Sequence, residues 1–236
     1  MEAEGEEALV RLAAESMQLE LAGRVVGNMA HMINNALTRV LGYIQLMAQE
    51  EDATQREHYM QQMSQGERET SVAARQLLDF ARSLRAPHGA MHFNEVVSSS
   101  LALVERSVQE QGVLLIEDYD EALGDFYGRS GQVQLLVLHL VLNGIEALAR
   151  NGSGGVIRVR TLAVDDKVRL EIEDDGPGLS AAELALVFRA GFSTKDGGAG
   201  LGLPACRAIA EAHGGYLLLS SGEEGVHAVV ELEGSS

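Results

Sequence analysis

Tryptophan is absent from the 236 residues, proline occurs three times and cysteine once. The lone Cys206 excludes an internal disulfide framework and fits a reducing compartment. No uninterrupted apolar run approaches the ~18 residues of a membrane-spanning helix. The acidic N-terminus MEAEGEEALV lacks the basic-then-apolar order of a secretory signal, so a cytoplasmic location is expected. Basic residues are scarce as well: 18 Lys and Arg stand against 35 Asp and Glu, for a net charge of −17. That balance disfavours direct nucleic-acid binding, which needs clustered cations against phosphate. It leaves open a nucleotide held by backbone amides, a metal and a few side chains.

Hydrophobic residues make up 46% of the chain, enough for a proper core in one large domain or two small ones. The rhythm divides in two. Residues 6–86 contain no proline and are rich in Ala, Leu, Glu, Gln, Met and Arg, a helix-forming composition. Leu19, Ala22, Val26, Met29, Ile33, Ala36, Val40, Ile44 and Met47 recur at three- and four-residue steps, a heptad-like seam. The stretch EEDAT (50–54) reads as a loop, a second helix follows with Met60, Met63, Val72, Leu77, Phe80 and Leu84, and RAPHGA (85–90) ends it. Two helices bury little by themselves. Pairing of two copies into a four-helix bundle buries both seams, so a homodimer through residues 6–86 is expected.

After residue 90 the pattern becomes α+β. MHFNEVV predicts a short strand and then Asn94 as a helix N-cap, with the helix running to about Gln111. VLLIEDY (113–119) is a strand and QVQLLVLHLVLNGIEALAR (132–150) a buried helix. VIRVRTLAV and KVRLEIED alternate around Asp-Asp as a hairpin. A Gly-rich stretch precedes the helix LPACRAIAEAHGG, and YLLLSS and VHAVVEL are the last strands. A mixed sheet with helices on one face accommodates these elements. There are no internal repeats, and a frayed EGSS tail is expected.

Three features carry chemistry. On a helical wheel of about 100° per residue, His31 lies about 200° from Met29, away from the seam, with Asn35 and Thr38 on its own face. By itself that polar ridge is what any helix shows to water. EDDGPGLS (173–180) follows a strand, and TKDGGAGLGLPACRAI (194–209) sets glycines before a helix, where amides and the helix N-terminus favour an anion. Each alone is equally a hairpin turn with solvated carboxylates or a flexible loop, and neither is a Walker or Rossmann motif. Asn143 is an amide inside the apolar LVLNGIEALA, either a satisfied core group or an oxygen ligand for a phosphate-bound Mg²⁺.

In order, these stretches resemble the cytoplasmic core of sensor histidine kinases of two-component systems, from about Leu19 to Leu232. AHMINNALTRVLGYIQL is similar to the family's H box, LHLVLNGIEAL to the N box, DDGPGL to the G1 box, VFRAGFSTK to the F box and GGAGLGLPACRAIAEAHGG to the G2 box. The resemblance implies two domains. Residues 1–86 would be a dimerisation and histidine-phosphotransfer helical hairpin, forming a dimeric four-helix bundle. Residues 87–236 would be an α/β sandwich that binds ATP, of the gyrase, Hsp90 and MutL type. It implies His31 as phosphoacceptor, because a neutral imidazole nitrogen is a good nucleophile near neutral pH. Asn35 sits where the family orients an attacking water. Asn143 would coordinate Mg²⁺ on the ATP phosphates and Asp174 would accept from the adenine amino group. Gly176 and Gly178 would let the backbone pass the base. Phe188 and Phe192 would anchor the nucleotide lid, if they are not ordinary core. Lys195 would reach phosphate or remain an exposed lid lysine, and Gly198, Gly200 and Gly202 would bring amides to the phosphates. His213 reads as a cation or cap at a helix C-terminus. The implied partner is a response-regulator receiver domain.

Two positions depart from the family pattern. Met32 stands where Glu or Asp normally follows the phosphoacceptor, and positions 27, 28, 34 and 35 offer no acid in its place. His139 stands where many of these kinases have Asn and the ATP-hydrolysing relatives have a catalytic Glu. Three functions follow: an autophosphorylating kinase, an ATP-binding pseudokinase scaffold, or a phosphotransfer hub with a vestigial nucleotide site. No recognisable sensor precedes residue 19 and no receiver follows, which implies a kinase-core fragment or input through a partner.

Overall fold

The computed structural model of the protein describes residues 2–150, 152, 154–194, 200–222 and 225–233, with side chains described from residue 17 onward except Asn28. It divides into two compact units, Ala22–Arg82 and Met1–Leu21 with Ser83–Ser236.

The first unit is a helical hairpin made from most of α1 (Glu2–Met47) and α2 (Ala53–Ser83). Asp52 starts α2 by accepting from the amides of Thr54 and Gln55 at 2.7 and 3.1 Å, and these bonds hold its carboxyl below the usual range. Gly66 marks the close approach of the helices: a Cβ there would lie 2.6 Å from Val40 Cγ2 and 3.2 Å from the Ala36 carbonyl oxygen. Arg39 pairs with Glu69 across the hairpin, and the rings of Tyr43 and Tyr59 are 5.7 Å apart. The seam differs from the heptad expectation. Met29 and Ala36 of the expected seam are buried, but Leu19 is 76% exposed and Val26 and Ile44 are also exposed, while Met17, Leu21 and Val25 are buried instead. Steps of four residues follow one ridge of a straight helix, so the buried stripe rotates away from a heptad line.

The second unit contains β1 (Gly89–His92), α3 (Phe93–Ala102), α4 (Glu105–Glu110), β2 (Val113–Tyr119), β3 (Asp125–Gly128) and α5 (Ser130–Arg150). It continues with β4 (Gly155–Val164), β5 (Lys167–Asp174), α6 (Ala181–Leu184), α7 (Gly202–Ala212), β6 (Tyr216–Gly222) and β7 (Gly225–Leu232). Five strands form a sheet in the order β2-β4-β5-β7-β6, with β2 parallel to β4 and the other pairs antiparallel. β1 and β3 make a separate antiparallel pair. One face of the large sheet packs on α5 and α7: Leu136, Val137 and Val141 of α5 and Ala205 and Cys206 of α7 are fully buried, as are Ile157, Val159 and Val230 of the strands. The other face is exposed and mixed: Leu114, Ile116 and Leu218 lie on it beside the cross-strand ion pairs Arg160–Asp118 at 2.8 Å and Arg169–Glu231 at 2.9 Å. Alternation along the strands therefore puts the helices on one side. α5 is the one helix among the described residues long and apolar enough to cross a membrane, and 67% of that window is buried inside the protein.

Two local expectations change. The helix after β1 breaks at Leu103 and Val104 into α3 and α4, and it starts after His92, not at Asn94. Asn94 instead donates to the Asp120 carbonyl at 2.9 Å and accepts from the Thr161 hydroxyl at 2.8 Å, tying α3 to the sheet.

Candidate nucleotide site

α5 and the sheet leave a cleft that the Gly-rich segments border. One cavity is lined by His139, Asn143, Gly144, Ala147 and Arg150 of α5, and by Ile172 and Asp174 of β5. Gly178 and Leu179 follow β5, and Val187, Phe192, Ser193 and Thr194 lie between α6 and α7 in the chain. Gly200 to Pro204 at the start of α7, Leu219 of β6, Val226 and Ala228 of β7, and Glu20 of α1 complete the wall. The α5 residues recur at three- and four-residue steps, so a single helix face supplies them.

Asp174 ends β5 with 8% of its surface exposed and accepts from the Gly176 amide at 3.0 Å. Burial pushes its carboxyl above the usual value, partly offset by the amides of Gly176 and Val226, while the neighbouring Asp175 and Glu173 add to the rise. A buried carboxylate at the end of an apolar slot is a strong acceptor for an amino group. Position 176 beside it must stay small, since a Cβ there would sit 2.7 Å from Asp174 Oδ1. Gly178 has φ +69°, and its missing side chain admits the Gly222 carbonyl oxygen, 2.1 Å from where a Cβ would be. Asp175 turns back and accepts from the Val156 amide at 2.6 Å, fixing the turn to β4.

At the other end, Gly200 has φ +65° and its amide region packs on Phe192, whose carbonyl would be 2.4 Å from an added Cβ. A Cβ at Gly202, the first residue of α7, would lie 1.9 Å from Cε1 and Nε2 of His139. The imidazole therefore fills the space beside the first turn of α7.

The structure thus brings Asn143, Asp174, Gly178, Phe192, Gly200 and Gly202 to one cavity, with Gly176 bonded to Asp174 beneath it. Phe188 is not on its wall; its ring lies 5.2 Å beneath the Arg207 guanidinium. Lys195 and Gly198 lie outside the described residues. His31 and Asn35 belong to the helical hairpin, where both are exposed, and Thr38 on the same ridge donates to the Asn34 carbonyl at 2.8 Å. Among the described residues no three His, Cys, Asp or Glu groups converge as a metal site. The hard oxygen of Asn143 on the cavity wall nevertheless suits Mg²⁺, which needs few protein ligands when phosphate and water supply the rest.

His213 is a cap and not a cation. Its Nδ1–H donates to the Ile209 carbonyl at 2.8 Å and its Nε2 accepts from the Arg129 amide at 3.1 Å. Burial holds its pKa below the ordinary value, with His88 and Arg129 adding to the fall. Sequence reasoning missed Arg150, Thr194 and Glu20. Arg150 lies two turns beyond Asn143 on the same face and donates to the Thr194 hydroxyl at 3.5 Å. The i, i+7 spacing was the available signal for Arg150; nothing in the sequence marked Glu20.

Residues 128–235 match the family described as histidine kinase-, DNA gyrase B- and HSP90-like ATPase. Sporulation kinase C of Bacillus subtilis is 27% identical over 212 residues, covering 89% of this chain and 48% of that protein. The chain thus spans about half the length of that relative. The solved catalytic domain of histidine kinase ThkA superposes with a TM-score of 0.57 at 26% identity, covering 62% of this chain and 95% of that one. Histidine kinase ThkA in complex with response regulator protein TrrA shares the fold over 92% of this chain and 63% of that one, with a TM-score of 0.55 at 22% identity. Residues 128–235 thus carry a domain of the histidine kinase, gyrase B and HSP90-like ATPase family, and over most of its length the chain is similar to sensor histidine kinases.

Proposed function

We propose that the protein is an ATP-dependent histidine kinase core that phosphorylates itself on His31 and passes the phosphoryl group to an aspartate of a response-regulator receiver domain. The observation that carries this reading is the convergence of Asn143, Asp174, Gly200 and Gly202 on one cavity, joined to an exposed histidine on a separate helical hairpin. Asp174 accepts from the adenine amino group and so selects the base. The amides freed by Gly200 and Gly202 meet the phosphate chain. Asn143 would hold Mg²⁺, which would supply charge neutralisation on the phosphate oxygens. An unprotonated nitrogen of His31 forms a bond to the γ-phosphorus, the bond to the β–γ bridging oxygen breaks, ADP leaves, and the imidazole proton passes to solvent. Catalysis is then mostly positioning and charge stabilisation.

Two copies form the working unit. Leu37, Leu41 and Leu46 of α1 and Met60, Val72 and Leu78 of α2 are exposed on the hairpin, and pairing with a second copy covers such a surface. ThkA, a relative in fold, is solved with a response regulator, which supports a receiver domain as partner here.

Met32 favours a second reading. A thioether neither orients the imidazole nor takes its proton, and loss of a general base costs about 10²–10⁴ in rate. On that reading the chain is a nucleotide-binding scaffold that regulates its partner without phosphorylating itself. Incubation with γ-labelled ATP separates the two. The kinase reading expects acid-labile label on the wild type, none on His31→Ala and faster labelling of Met32→Glu. A wild type that stays unlabelled, with Met32→Glu labelled, establishes the scaffold. Label on neither contradicts the kinase reading outright.

A further inference from the structure

Glu20 does not belong to the segment that carries the nucleotide motifs, yet it lines the same cavity. It gets there because α1 is docked beside α7. Met17 and Leu21 are 2% and 1% exposed, and the Met17 sulfur lies 3.9 Å from Sγ of Cys206. Cys206 is one turn into α7 from Gly202, and Glu20 is nearly one turn along α1 from Met17. The contribution of α7 to the cavity is its first turn, Gly202 to Pro204, and the Met17–Cys206 contact brings Glu20 to the same cavity from the α7 side. That end is built for negative charge, since the first amides of a helix and a left-handed glycine before it both present N–H groups.

Resting on the reading of this cavity as a nucleotide site, we propose that Glu20 is an affinity-setting residue of the pocket: its carboxylate stands in the phosphate region, so that docking of α1 and occupation by a nucleotide triphosphate oppose each other. Among the described residues the other charged groups on the wall are Arg150 and Asp174, from α5 and β5. Glu20 adds a second negative charge to a cleft that must accept a polyanion. The consequence is reciprocal, because two events that compete for one space weaken each other by the same factor. Nucleotide triphosphate loosens residues 17–21 from α7, and a force that pulls α1 away raises affinity for the triphosphate.

The test is a titration of the full chain with magnesium and a non-hydrolysable ATP analogue, and separately with adenosine. Removing one charge from a partly solvated cleft changes affinity for a polyanion on the order of fivefold. Glu20→Gln is therefore expected to tighten the analogue about fivefold and Glu20→Lys more, with adenosine unchanged. An unchanged ratio of the two ligands in both variants overturns the inference, as does weaker analogue binding by Glu20→Gln. If no variant binds either ligand, the nucleotide reading itself fails and carries this inference with it. If the wild type binds both and the ratio does not move, only this inference fails.

Discussion

Asp174→Asn separates the binding role of the buried carboxylate from its cost to the fold. In the wild type the group is 8% exposed and its pKa is raised by burial, so ionisation is disfavoured in the folded state. A raised carboxyl pKa contributes stability below the unfolded value near 3.8, and that contribution is lost as pH rises through the folded value. At neutral pH the ionised Asp174 is thus a net cost. Asn fits the same space, keeps an acceptor for the Gly176 amide now at 3.0 Å, and carries no charge. Its melting temperature without ligand is expected to equal or exceed that of the wild type. Binding moves the other way. A hydrogen bond to a charged group contributes about 1.5–3 kcal/mol, so the ATP analogue is expected to bind about 10- to 150-fold more weakly. Calorimetric titration gives the affinity and a thermal melt of the same sample gives the stability. Unchanged affinity refutes Asp174 as the base-selecting acceptor, and a large fall in melting temperature refutes the burial argument.

Gly202→Ala forces a Cβ to within 1.9 Å of the His139 ring, and overpacking of this kind costs about 1–3 kcal/mol. Analogue binding is expected to fall at least tenfold and to recover in part in Gly202→Ala with His139→Ala, as titration reads directly. For the hairpin, Leu37→Glu with Leu41→Glu places charge on two exposed apolar positions, and on the proposed pairing sedimentation is expected to show dimer for the wild type and monomer for the variant. His213 has a depressed pKa, so its neutral form contributes stability above the ordinary value of 6.5 and that contribution is lost as pH falls towards the folded value. Urea midpoints at pH 7.5 and 5 are expected to differ more for the wild type than for His213→Gln.

Much of this layout was legible because strong periodic signals coincide with structure. The apolar run of α5, the alternation of β4 and β5, and Gly200 just before α7 all sit where the sequence expects them. β3 was missed because four residues, Asp125–Gly128, cannot display an alternation, and its partner β1 is equally short. The break between α3 and α4 carries neither proline nor glycine, so no local signal marks it. Asn94 suits an N-cap by propensity, but its tertiary bonds to Asp120 and Thr161 win. Among the site residues, Asn143, Asp174 and the glycines were visible as polar or flexible groups in unusual company. Glu20 was not, because an acidic residue on a helix is ordinary until the packing of Met17 on Cys206 carries it to a cavity.

The most direct measurement is mass-spectrometric mapping of phosphorylated residues, under conditions that preserve phosphohistidine, after incubating the full chain with magnesium and ATP. Of the seven histidines, His31 alone is expected to carry the phosphoryl group, at a low level in the wild type and a high one in Met32→Glu. Phosphate on His139 or another histidine in place of His31, or on none in either protein, contradicts the assignment of His31 as the acceptor.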